Sequence, residues 1–407
     1  VRAVSAYRNS MKNYFSRVSR NNIWKMAAIR FFFWMHFISS VLIPFFRDWG
    51  GLSLTKIMIL NACFMVFVFL TEIPTGTVAD RFGRKVSIVL ACPISIGAVL
   101  LYTSFPMFWI FLAGEFLFAV AYTLMSGADE ALVYDSLQEY GAEAESKRIF
   151  ARLESVKLAG ILVGALLGSV IAKNYGLVAP VRMHIIPLLL SLFIALLLRE
   201  PAASQLTASK SYHRIMFDGV RFFLRHKILK LLAFDMVSVN AVCFVIIWFY
   251  QPLAGEAGLD LIYFGMVHAA MTVGQIVILT NVERIERILG SKRRLLLLGA
   301  IIPAAGFIIL GITQYLPWVI SGVLLVSYFG LARGPLFVSY MNKFIPSDQR
   351  ATALSTASMF RMLAMAILHP VAGALADWNL HKTMLILAGS LLLFTFASRV
   401  REEQLVD

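Results

Sequence analysis

The sequence predicts an all-α membrane protein of twelve transmembrane helices, arranged as two pseudo-symmetric six-helix bundles. Three observations predict it. Of 407 residues, 59% are hydrophobic and only 15% charged, against roughly 25% charged in soluble chains, and the mean hydropathy is +0.77. The apolar residues fall in separate stretches of about 20, the length a helix needs to cross a ~30 Å hydrocarbon core, whereas barrel strands would alternate over ~10 residues. The chain also repeats: RNNIWKMAAIR (20–30) aligns with RHKILKLLAFD (225–235), GLSL (51–54) with GLDL (258–261), and ADEAL (128–132) with ARGPL (332–336). These offsets of 205, 207 and 204 stay in register with the helix count, as expected for parallel halves.

Apolar runs bounded by charges and Gly/Pro turns place the helices near 24–47, 54–79, 86–104, 107–136, 149–173, 179–198, 228–251, 260–282, 295–313, 317–341, 351–376 and 380–398. The first run follows a basic segment with Arg2, Arg8, Lys12, Arg17 and Arg20. It is too long for a signal-peptide core and has no clear cleavage site, so it is expected to remain. The fifth carries Gly160, Gly164 and Gly168, a small-residue seam for close packing. Between the sixth and seventh lies the longest polar break, where Arg214, Asp218, Arg221 and Arg225 face away from Tyr212, Ile215, Met216, Val220 and Phe223, either a basic amphipathic helix on the membrane surface or a plain tether. The expected organisation is a basic tail 1–22, a bundle 23–198, a linker 199–227 with that helix, a second bundle 228–398 and a tail 399–407.

Charge orients the helices. With the N-terminus in the cytoplasm, 28 of the 37 Lys and Arg residues fall on the inner side, five on the outer side and four within helices. Both termini are therefore expected in the cytoplasm of a multi-pass protein of the cell (inner) membrane. The same bias accounts for the net charge of +14 without a nucleic-acid partner, since no soluble basic domain is available. Cys63, Cys92 and Cys243 sit in apolar runs and read as small core residues.

The most specific motif is GTVADRFGRK (76–85), between the second and third helices. It resembles the signature GxxADRxGRK of the Major Facilitator Superfamily of secondary transporters, with every characteristic position present: Gly76, Asp80, Arg81, Gly83, Arg84 and Lys85. In that family this segment helps latch the cytoplasmic face when the carrier opens outward. Physically, Gly76 would permit close helix approach and Gly83 a tight turn, while Asp80 would suit a helix N-terminus. Arg84 needs an acidic partner, and Asp135 at the end of the fourth helix is the candidate. The second copy, ERIERILGSKRR (283–294), keeps an acid, a glycine and a basic run. Resemblance to a drug-efflux-like bacterial member is looser. The fourth helix has Gly114-Glu115-Phe116 where such members carry an Arg, and the fifth lacks the full glycine-proline pattern of antiporter-like members.

Charges within the membrane cost roughly 2.5–3.5 kcal/mol each at mid-helix on insertion scales, so each needs a use or a partner. Arg30 and Asp129 map through the repeat onto Asp235 and Arg333, with the signs exchanged. The resemblance puts the first, fourth, seventh and tenth helices around one pathway; the alternative is a structural ion pair within each half. Glu115, Glu130, Glu154, Lys157 and Arg361 are the other candidates, with Glu115 deepest and able to carry a proton. Phe33, Trp34 and Phe37 share the Arg30 face, giving an aromatic wall that suits an amphiphilic ligand better than a sugar. His36, His268 and His369 have no ligand-spaced partner and read as core residues rather than metal ligands.

These readings converge on a secondary active transporter that works by alternating access, exporting a lipophilic or amphiphilic small molecule with protons as the coupling ion. A specific metabolite or siderophore carrier and a non-transporting membrane sensor remain alternatives. No Ser/His/Asp set, Walker-type loop or metal spacing points to an enzyme. Neither cofactor nor metal is expected, and the expected partners are the small-molecule substrate, protons and the lipid bilayer. The protein is expected to act as a monomer.

Overall fold

The computed structural model describes residues 21–201, 221, 223, 225–345, 350–398 and 400–405. Among them, eleven helices are long and apolar enough to cross a membrane, and a bent pair supplies a twelfth span. In order these are α1 (Asn21–Ser40, continued by Leu42–Trp49), α2 (Leu54–Phe82), α3 (Arg84–Tyr102), α4 (Phe108–Glu139), α5 (Glu143–Tyr175), α6 (Val178–Leu196), α7 (Lys227–Glu256), α8 (Leu261–Thr280), α9 (Lys292–Ile312), α10 (Leu316–Met341), α11 (Thr356–Trp378) and α12 (Leu380–Ala397). No strand occurs among the described residues, as the backbone rule for hydrocarbon requires. The basic tail and most of the amphipathic segment expected within 199–227 lie outside the described residues.

Side chains at the ends set where several helices begin. Ser291 accepts from the N–H of Arg294 at the start of α9, and Asn379 accepts from Lys382 at the start of α12. Each satisfies a donor that helix geometry leaves unpaired. Between α2 and α3 a single residue intervenes, Gly83 at φ +100°, a region that side chains with a Cβ avoid.

The chain does not run straight through the four charge-bearing spans. A turn of 3-10 helix at Phe37–Ser40 interrupts α1, Ser126 and Gly127 interrupt α4, Val245 breaks α7, and Val326–Leu331 of α10 is π-helical. A further break falls at His184 in α6. At the sequence offset of about 205, the breaks of α1 and α7 correspond, and so do those of α4 and α10. The expectation of a continuous first helix with Phe33, Trp34 and Phe37 on one face is thereby corrected: regular helix ends at Phe33, so the 3.6-residue spacing no longer relates the three side chains.

The described residues form two compact units: unit 1 holds those within 21–39, 67–171 and 178–201, and unit 2 holds those within 40–66, 172–177 and 221–405. Unit 2 thus takes in chain from the first half of the sequence, and named bonds show why. Asp377 at the end of α11 accepts from the N–H groups of Leu54 and Thr55 at 2.8 and 2.9 Å, a carboxylate on the N-terminus of α2 where the macrodipole favours it. Lys173 of α5 bonds Asp260 before α8 at 2.6 Å. These two links correspond through the repeat, one at each junction. Deeper in unit 2, Asn61 meets His369 at 2.7 Å and the N–H of Ile43 donates to Gln251 at 2.8 Å.

Candidate functional site

Unit 1 carries an open cluster of charge. The break at Ser126 and Gly127 creates a helix start inside α4, and Asp129 and Glu130 occupy its first turn, the end that favours carboxylates. Buried Arg30 of α1 binds Asp129 through Nε at 2.8 Å. Its two other nitrogens lie 3.9 Å from Glu130 and from Glu154 of α5, both of which are more than half exposed. Lys157 bonds Glu154 at 3.0 Å and places its ammonium 4.8 Å from the centre of the Trp34 ring. Three carboxylates therefore surround two cations beside an aromatic face. Trp34 is half-buried, whereas Phe33 and Phe37 are buried among their neighbours: Phe33 lies edge-on to Trp34 and Phe37 edge-on to His184.

Unit 2 carries the corresponding pair in closed form. Arg333 binds Asp235, donates to the carbonyl of Leu296 at 2.8 Å, and lies over the Phe337 ring. Both members are buried, and the neighbouring side chains come from α9, α12 and the residues just past α12, including Arg293, Thr395 and Ser398. The space there is about 30 Å³, room for about two waters and no larger solute. Arg361 is half-buried on α11.

Glu115 sits in α4, buried, with the hydroxyl of Tyr102 from α3 as its hydrogen-bond partner. Gly114 makes room for that arrangement, since a Cβ there would come within 2.4 Å of the Tyr102 ring.

The segment 76–85 is helix almost throughout, not a loop. Arg84 bonds Asp135 and the carbonyl of Ala131, which joins α3 to α4. The carboxylate of Glu200, just past α6, accepts from the N–H groups of Arg84 and Lys85 at 2.8 and 2.7 Å. It fills the space beside Gly83, where a Cβ would meet it at 3.0 Å. Asp80 lies exposed in the last turn of α2, so the helix N-terminus expected for it is not that of its own helix. Arg81 stacks over the adjacent Phe82. Gly76 has open space where a Cβ would stand, which corrects the expectation of close helix approach there.

Glu200 was not singled out from the sequence, nor was its counterpart Glu402. Glu402 accepts from Ser291 and from the N–H groups of Lys292 and Arg293, capping α9 as Glu200 caps α3. Partial burial pulls the Glu402 carboxyl upward, but the Ser291 hydroxyl and the two N–H groups outweigh it and hold the group below its ordinary value. One signal was available: Arg199-Glu200 and Arg401-Glu402 each follow the last helix of a half.

The sequence profile of the Major Facilitator Superfamily matches residues 23–369, well over half of the chain. No curated relative matches the sequence. Among solved structures, the chain is similar to the nucleoside transporter NupG at a TM-score of 0.78 and 12% identity, with 93% of this chain and 98% of that chain covered. It is also similar to a POT family transporter in complex with 5-aminolevulinic acid (TM-score 0.73, 13% identity, 95% and 97% covered). A bacterial homologue of the human lysosomal transporter Spinster gives 0.71 at 15% identity, with 97% and 98% covered. With a matched profile over most of its length and the same helical fold as these carriers, the chain belongs to the Major Facilitator Superfamily and is a multi-pass membrane transporter rather than an enzyme.

Proposed function

We propose that the chain exports an amphiphilic small molecule bearing a cationic group, by alternating access coupled to protons, across the cell membrane with both termini cytoplasmic. The observation that carries this reading is the surplus of carboxylate around Arg30. Asp129 is committed to Arg30, while Glu130 and Glu154 approach it only at 3.9 Å and stay exposed. A cationic head would pair with them and its apolar body would lie on Trp34, whose face already holds an ammonium in cation–π geometry. Asp235 and Arg333, in contrast, act as a structural pair that fixes α7 against α10. The 76–85 segment with Asp135 serves as the cytoplasmic latch.

Thermal shift of the reconstituted protein against amphiphilic cations, amphiphilic anions and sugars tests the substrate class, because a ligand that binds the folded state raises its melting temperature by mass action. Stabilisation by the cations, lost in the Glu130→Gln/Glu154→Gln double variant, is the expected result. Stabilisation by sugars or anions alone would replace this reading with the metabolite-carrier one. Orientation is tested separately: cysteines placed at Arg81 or Lys85 should resist an impermeant reagent in intact cells and react after permeabilisation.

A further inference from the structure

The two halves differ in how their first and fifth helices meet. In unit 1, α5 lies on α1 through glycines: a Cβ on Gly160 would come within 2.3 Å of the Phe31 carbonyl, and one on Gly164 within 2.8 Å of the His36 nitrogen. At the offset of 204 these glycines become Ala364 and Leu368 of α11. Side chains therefore stand there where unit 1 has none. A groove of about 610 Å³ opens between α7, α11 and α12, with Ala364, Leu368, Phe234 and Phe394 in its wall. The volume lies within the range of ligand pockets.

The groove is apolar along its length except for Ser238 and, at one end, Lys230. It runs beside α7 from Lys230 to Val242, twelve residues or about 18 Å at the helical rise, which is close to the depth of one leaflet of a ~30 Å hydrocarbon core. Its rim is exposed on the chain at Phe234, Leu363 and Ile367, the side from which lipid would enter. Lys230 closes one end of the groove, Arg221, Arg225 and Lys227, near it in the chain, are exposed as well, and Lys230 has no acidic partner among the described residues. An apolar slot one leaflet deep, ending at a lysine with three more exposed cations close by in the chain, matches one acyl chain beneath an anionic headgroup.

We propose that the α7–α11–α12 groove binds an anionic phospholipid of the bilayer, one acyl chain lying against Ala364 and Leu368 and the phosphate held by Lys230. The site is separate from the Arg30 cluster and stands whether or not that cluster binds a cation.

Native mass spectrometry of the full chain, titrated with phosphatidylglycerol and with phosphatidylcholine, tests it. The wild type should retain one phosphatidylglycerol in preference to phosphatidylcholine. Lys230→Gln should cut that preference about five-fold, the loss of one headgroup cation at ~1 kcal/mol. Ala364→Trp should displace the lipid by filling the groove. Ala364→Leu provides a milder filling should the larger residue prevent folding, and Leu393→Trp, at an exposed site on α12, should change nothing. Equal retention of both lipids by the wild type, or unchanged retention in both Ala364 variants, would overturn the proposal. So would one-for-one displacement of the phosphatidylglycerol by an amphiphilic cation, which would make the groove a solute site.

Discussion

Glu200 and Arg84 are joined through the backbone: the carboxylate accepts the N–H of Arg84 at 2.8 Å, while the guanidinium of the same Arg84 turns the other way to Asp135. One arginine thus ties the end of α6 and the last turns of α4 to the start of α3. The donors that Glu200 satisfies are among those every helix leaves unpaired at its first turn, and the negative charge lies where the macrodipole favours it.

Glu200→Gln is therefore expected to destabilise unit 1 by about 1 kcal/mol, the usual worth of an N-terminal cap, and to lower the melting temperature of the purified protein without preventing insertion. Arg84→Ala should do something different. It frees Asp135 and, if the segment is the proposed latch, should shift the population away from the outward-open state, read as altered cross-linking between cysteines on the face that carries residues 76–85. Unchanged cross-linking in Arg84→Ala would leave the segment with a purely structural role.

For the charges of unit 1, the geometry sets an expected non-additivity. Arg30→Gln leaves Asp129 buried without its cation, and Asp129→Asn leaves Arg30 with only the distant Glu130 and Glu154. Each single change should cost about 3–5 kcal/mol, and the double variant less than the sum. The Asp235 and Arg333 cycle should show stronger coupling, since both side chains of that pair are almost fully buried, whereas Glu130 and Glu154 beside Arg30 are exposed. Denaturation of the four variants in each cycle measures both. Strict additivity for Arg30 and Asp129 would mean that the two side chains act independently.

The link between Lys173 and Asp260 gives a pH dependence with a definite sign. The hydrogen bond from Lys173 holds the Asp260 carboxyl below its ordinary value, helped by the N–H of Ile262. A depressed carboxyl favours the bonded state above its ordinary range and loses that bond as pH falls through the lowered value. Spin labels at Tyr175 and Tyr263 should accordingly move apart on acidification, and Asp260→Asn should show the longer distance at every pH. Both groups are about half exposed, so added salt should weaken the link as well. A distance that ignores pH, salt and the substitution would show that the link holds nothing.

Much of this was legible in the sequence for a physical reason: hydrocarbon tolerates so few backbone and side-chain arrangements that departures stand out. The twelve spans follow from length alone, and Arg30, Asp129, Asp235 and Arg333 are conspicuous because unpaired charge there is costly. The contact of Arg84 with Asp135 followed from placing both at the same level, Arg84 where its helix begins and Asp135 near where its helix ends. The break after Phe33 was not legible, because Trp34, Met35 and His36 carry none of the usual stop signals of glycine or proline. Gly160 and Gly164 announced a close seam but not its partner, which proved to be the backbone of Phe31 to His36. Glu200 escaped notice because an acid beside Arg199 at a helix end reads as ordinary surface charge.

The last prediction concerns coupling, and it rests on Glu115. Eight residues beyond Met107, at ~1.5 Å each, place it about 12 Å into α4, close to the midplane of a ~30 Å core. Its carboxyl is buried with the Tyr102 hydroxyl as partner, and among the described residues no cation pairs with it. A proton moving inward there gains roughly 2.3 kcal/mol per 100 mV of membrane potential, and taking it up removes the cost of holding a charge away from water. The two states can therefore favour different conformations of the same fold. Glu115→Gln keeps an acceptor for Tyr102 but cannot take up a proton, so it should abolish substrate accumulation driven by a pH gradient in proteoliposomes while leaving thermal-shift binding intact. Tyr102→Phe keeps the proton site but removes its hydrogen bond, so it should retain driven transport with a displaced pH dependence. A merely structural Glu115 would give the reverse pattern, with Glu115→Gln still accumulating substrate and both variants losing stability alike. That outcome would move the coupling role to Glu130, the exposed carboxylate beside Arg30.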